Sequence, residues 1–184
     1  MRKRHAIPVV ALVLAALVVL VTAAWGGRQH DDLRAAKRAT EQYRDLDVAK
    51  AAGYGLITDA QGIACIAEPG VGAMGVHYGN GSLIGDPTID PTKPEAFVYE
   101  PRAHGRLKLV ALEYLVFQAD WDATHDHPPM LFGQMFMLTP APNRFGIPAF
   151  YSLHAWIYKH NPAGEFAMWN PNVHCDRPNT DDGD

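Results

Sequence analysis

Four β-prone runs follow one another in the second half of the chain with no long helix between them, and this constrains the fold most. They are Ala96–Glu100, Leu107–Phe117, Gly133–Thr139 and Phe150–Lys159, separated by turn-rich segments at hairpin-like distances. Parallel neighbours need a crossover of a dozen or more residues, usually a helix, so these strands are expected to pair antiparallel. Ahead of them, Asp31–Ala52 has helical periodicity: Leu33, Ala36, Ala39, Tyr43, Leu46 and Ala49 fall three or four apart. Asp31 and Asp32 suit its first turn and Gly53 its stop, while Asp45 or Asp47 could cap a second short helix, so a kink near Asp45 is expected. Gly53–Glu95 has glycines at nine positions and little periodicity, and reads as a long Gly/Pro-rich loop. Within it, Ala73–Tyr78 is a short apolar insert, a strand candidate carrying His77. The expected fold is α+β: an N-terminal helix packed on a curved, mainly antiparallel β-sheet of about four or five strands, with that long loop.

The ends of the chain read differently from its body. Residues 1–24 hold a basic start, an apolar run and a small-residue exit, which suits a signal peptide. Ile7–Trp25 is also close to the roughly 20 residues that span a bilayer, so an uncleaved membrane anchor is the alternative. With the positive end inside, either reading puts the body outside the cytoplasm. Residues 25–177 are expected to form a single globular domain, and residues 178–184 a frayed acidic tail. Setting aside Arg2, Lys3 and Arg4 leaves 13 basic against 20 acidic residues, a balance of −7 over the last 160 residues. A body so acidic lacks the basic face that nucleic acid requires. With 48% hydrophobic and 20% charged residues, bulk disorder is excluded too. The two cysteines, Cys65 and Cys175, form the simplest pair for a disulfide in an oxidising compartment.

Alternation along strands picks out the residues with chemistry, because every second side chain shares a face. Glu113 falls on one face with Leu107, Leu109, Ala111, Leu115 and Phe117. A carboxylate in that company needs a metal, a cation or several donors. Arg102 or Arg106 could supply the cation. His154 is central in its strand, sharing a face with Phe150, Ser152, Trp156 and Tyr158. It reads either as a hydrogen-bonded core residue or, if Glu113 and a second histidine converge on it, as a ligand. His77 sits in GAMGVHYGNGS, where glycines allow close backbone approach. Tyr78 and Asn80 beside it offer a hydroxyl and an amide. Two histidines and one carboxylate can bind zinc, copper or iron. His125 and His127, in an HDHPP loop, are secondary candidates, because residues i and i+2 of extended backbone project to one side. His160 and His174 stand beside turns, His104 reads as a turn bystander, and Asn170 as a turn cap. No P-loop, dinucleotide fingerprint or nucleophile elbow is present.

Several stretches together resemble a family of small secreted bacterial proteins: ATEQYRDLDVAKAAGY, GAMGVHYGN, PEAFVYEP, LVALEYLV, LFGQMF, SLHAWIYKHNPAGEFAMWNP and the final Cys175. The resemblance carries over no activity. It implies that His77, Glu113 and His154 lie within the family's marks, with the HDH loop between them. Three functions compete. One is a secreted protein with a buried His/Glu site that binds a divalent metal, with or without catalysis. Another is a small apolar-ligand module with an NTF2-like pocket lined by Tyr99, Phe117, Phe136, Trp156 and Tyr158. The third is an envelope protein without a small-molecule site. The expected partners are thus a metal or a small molecule, and the membrane only through an uncleaved N-terminal segment.

Overall fold

The computed structural model describes residues 29–176. The signal or anchor expected over residues 1–24 and the tail expected over 178–184 lie outside the described residues. No described helix is long and apolar enough to cross a membrane.

Helix α1 runs through residues 29–40, a 3-10 turn occupies Glu41–Arg44, and α2 spans Leu46–Ala51. The expected kink is at Asp45, whose backbone is extended and whose carboxylate accepts the Asp47 N–H. This is N-capping chemistry, satisfying a donor that the new helix leaves unpaired. Leu33, Ala36 and Ala49 are buried against the sheet, as the periodicity requires.

Among the described residues the sheet has seven strands: β1 Gly55–Leu56, β2 Cys65–Glu68, β3 Gly72–Gly79, β4 Ala96–Pro101, β5 Leu107–Phe117, β8 Met137–Thr139 and β9 Phe150–Ala155. Their order is β1-β3-β4-β5-β9-β8, and β2 pairs with the other end of β3. All the pairings are antiparallel. Two short strands, β6 Met130–Leu131 and β7 Gln134–Met135, make a separate hairpin. The α+β architecture is therefore as expected, with more strands than the four or five anticipated. Two short helices, α3 Gly81–Ile84 and α4 Gln118–Asp122, complete it.

The extra strands come from the segment read as a long loop. Gly53–Glu95 contains β1, β2, β3 and α3. Its glycines serve the sheet. Gly75 has φ +115°, and a Cβ there would sit 2.6 Å from the Tyr99 carbonyl oxygen. Only glycine lets β3 and β4 approach so closely.

The sheet buries both faces. Val76, Tyr78, Phe97, Leu112, Tyr114 and Leu153 face the helices. Val98, Val110, Ala111 and Trp156 face the other way, packed with Val173 from the chain end. Strict alternation fails at two register shifts among the described strands, one between Ile66 and Ala67 of β2 against β3 and one between β4 and β5. The β4–β5 register shifts between Val98, opposite Ala111, and Tyr99, opposite Leu109, leaving Val110 as a bulge. Leu107 and Leu109 thereby turn to the helix side and leave the face of Glu113, contrary to expectation.

Loops cover that second face. The Asp59 carboxylate accepts the N–H groups of Gln61 and Ile63 and pairs with Arg144 at 3.0 Å. Ala60 N–H donates to the Arg144 carbonyl. Asn170 bridges to Ala73 backbone to backbone, and its side chain accepts the Asn172 N–H, the turn role expected of it. The expected disulfide joins Cys65 of β2 to Cys175.

Candidate metal centre

Register explains how three distant residues meet. Ala96, Glu113 and His154 stand abreast on β4, β5 and β9. His77 on β3 lies two register positions further along, opposite Val98. Tyr78, Tyr114 and Leu153 point to the helix side, so by alternation His77, Glu113 and His154 all point to the loop-covered face. Between β3 and β5 the intervening β4 presents only Ala96 and Val98. Side chains this short let the His77 ring and the Glu113 carboxylate meet above them.

His77 Nε2 lies 3.5 Å from Glu113 Oε2, and His154 Nε2 lies 3.9 Å from Glu113 Oε1. One ligand atom from each of the three falls within 4.8 Å of the others. All three residues are buried, at 4%, 8% and 3% exposure. Yet His154 Nε2 has no hydrogen-bond partner among the described residues. Buried polar atoms are nearly always paired, because leaving one unpaired costs roughly 1–3 kcal/mol. The 3.9 Å gap is too long for a hydrogen bond. It is close to the roughly 3.4 Å that separates ligand atoms around a tetrahedral ion with bonds near 2.1 Å.

Burial sets the charge state. Desolvation lowers His77 to about 4, and desolvation followed by the nearby His77 lowers His154 to about 3. Desolvation raises Glu113 to about 7. At neutral pH the contacts are therefore not ion pairs, since both rings are neutral. Neutral imidazoles are the form that binds metal, so only Glu113 must lose a proton for the set to act as ligands.

Trp156 lies alongside, its ring nearly parallel to His154 at 5.9 Å, and its indole N–H donates to the Ala167 carbonyl. The other expected pocket residues are elsewhere. Tyr78 is on the helix-side face, and Asn80 caps α3 by accepting the Ser82 N–H. Tyr158 lies past the end of β9, where its hydroxyl donates to Lys37 O and bonds the Thr40 hydroxyl on α1. Tyr99 and Phe136 are core residues, Tyr99 donating to Tyr43 O, and Phe117 is half-buried at the end of β5. His125 and His127 are exposed and outside the trio. The His125 ring stacks on Trp121 at 3.7 Å, and Trp121 donates to the His127 carbonyl. His104, His160 and His174 also lie outside the cluster. Arg102 pairs with Glu100, which also meets Lys159, so it is not the partner of Glu113.

No family model, curated protein or solved structure matches the chain. The functional argument therefore rests on the site itself.

Three buried acids escaped sequence reasoning: Asp59 and Glu100, which meet cations, and Glu95. Glu95 is 1% exposed, its carboxylate accepts the Leu115 N–H at 2.9 Å, and burial raises it to about 8, with Glu113 adding a smaller push. It stands just before β4, where strand alternation does not apply. The nearest signal was the PEAF motif at the strand entry, which by itself marks only a turn into a strand.

Proposed function

We propose that the protein is an extracytoplasmic metal-binding protein whose transition ion is held by His77, Glu113 and His154. The observation that carries this is the buried, unpartnered Nε2 of His154 facing a carboxylate beyond hydrogen-bond reach. Three protein ligands are the number typical of sites that keep a further position for water or a small molecule. The Cys65–Cys175 disulfide supports a location in an oxidising compartment. A scaffold or an apolar-ligand module would give no reason to bury two histidines and a carboxylate without mutual hydrogen bonds. An NTF2-like pocket would also need its aromatic lining, and Tyr99, Phe136 and Tyr158 are committed to the core or to α1.

Titration of the metal-stripped protein with Co(II) and Zn(II) tests the reading. One equivalent should bind, with cobalt absorbance reporting nitrogen and oxygen ligands. Glu113→Gln and His154→Ala should each abolish saturable binding. Wild-type protein that takes up neither ion would refute the proposal.

A further inference from the structure

The edge of the sheet beside His154 holds a second group of donors. Strand β8 pairs with β9 only at Phe150–Ser152, and Met137 stands directly opposite Ser152. There a cavity of about 180 Å³ is walled by Met135, Met137, Met168, Gln134, Ser152 and His154. The chain has six methionines, five of them within residues 29–176. Three line this cavity, and a fourth, Met130, is the cross-strand partner of Met135. Met130, Met135 and Met137 are 60%, 58% and 49% exposed. Single exposed apolar side chains are ordinary, but a cluster of them marks a site that binds something. Exposed thioethers are also open to oxidation, a standing cost outside the cytoplasm.

Thioether sulfur is a soft donor that favours cuprous copper and adds little for zinc. The cavity wall includes His154, whose ring is one of the three proposed ligands. The geometry points to a cuprous-ion site in this cavity, with Met135, Met137 and Met168 as donors and His154 linking it to the inner trio. This rests on the metal-binding reading and adds a cuprous site beside the inner trio: copper arrives as Cu(I) and is held without a change of oxidation state.

The test is an anaerobic titration with Cu(I), supplied as its acetonitrile complex and competed against a colorimetric cuprous chelator. Co(II) titration runs in parallel. Wild-type protein should bind one Cu(I), with copper–sulfur scattering in its X-ray absorption spectrum. The Met135→Leu/Met137→Leu/Met168→Leu variant should lose at least about tenfold in Cu(I) affinity, equivalent to about 1.4 kcal/mol, together with the sulfur scattering. Its Co(II) binding should be unchanged. If Met168→Leu disturbs folding, the exposed pair Met135→Leu/Met137→Leu should still weaken Cu(I), and the wild-type spectrum needs no variant. Unchanged Cu(I) affinity in the variants, or a copper shell of nitrogen and oxygen only, would overturn the inference. Co(II) uptake without Cu(I) uptake would overturn it and leave the metal-binding reading standing. Uptake of neither ion would overturn both.

Discussion

Glu113 is a carboxylate whose nearest polar neighbours are two neutral rings, and its protonation opposes theirs. Its pKa rises from 4.5 to about 7, so the folded chain holds that proton more tightly than the unfolded chain. Its contribution to stability therefore falls as the pH climbs through that window. His77 and His154 drop from 6.5 to about 4 and about 3, so each costs stability as the pH falls below 6.5. Glu95, raised to about 8, stands on the side of Glu113, so two acids offset two rings between pH 4.5 and 6.5, and the metal-free protein should lose stability only below about pH 4.5 in urea titrations. Glu113→Gln removes one of the opposing acids while keeping its shape. Above pH 7 the metal-free variant should be more stable than the wild type, on the order of 1–3 kcal/mol, with the difference vanishing near pH 4.5. A variant less stable than the wild type at pH 8 would mean that the carboxylate has a stabilising partner. Metal binding must expel the Glu113 proton, so affinity should fall about tenfold per pH unit below pH 7. Isothermal titration in two buffers of different ionisation enthalpy would count the single proton released.

The elements differ in how plainly the sequence announces them. Leu107–Phe117 is strongly apolar, with only Lys108 and Glu113 charged, and β5 has those same bounds. Helix periodicity and the Asp45 cap located α1, the kink and α2, because both signals are local. The trio was legible for a similar reason: alternation marks a polar residue on an apolar face whatever lies across from it. The bulge at Val110 was not legible, since it is fixed by the register of β5 against β4 and not by either strand alone. Nor was β3 fully legible, because its glycines look like loop glycines until the neighbouring backbone is in view. Tyr158 was misassigned when β9 was extended past Ala155, where the backbone leaves the sheet and alternation ceases. Gly75 makes the point testable. Gly75→Ala would force a Cβ to within 2.6 Å of the Tyr99 carbonyl, at a φ of +115° that side chains rarely adopt. We expect a loss of about 2–4 kcal/mol in urea denaturation. Metal affinity should fall with it, since β3 carries His77. A Gly75→Ala protein of wild-type stability would show that the two strands have room to part.

At the scale of the molecule, the sheet is closed on one side by helices and on the other by loops, and the loops are tied down. The Asp59–Arg144 pair and the Ala60–Arg144 backbone bond join two of them. The Asn170 bridge and the Cys65–Cys175 disulfide hold a third. Closing a loop across a separation of 110 residues removes much of the freedom of the unfolded chain. Cys65→Ser/Cys175→Ser should therefore cost about 2–5 kcal/mol, read as a lower urea midpoint for the metal-free protein. The same midpoint under reducing and oxidising conditions would contradict this. The tie has a topological side as well. Residues 65 to 175 form a covalent ring, and His77, Glu113 and His154 all belong to it. So does the exposed stretch His125–His127, where a protease would find backbone to cut. One cut inside the ring opens it without releasing a fragment, so a nicked molecule keeps its three candidate ligands on a single covalent body.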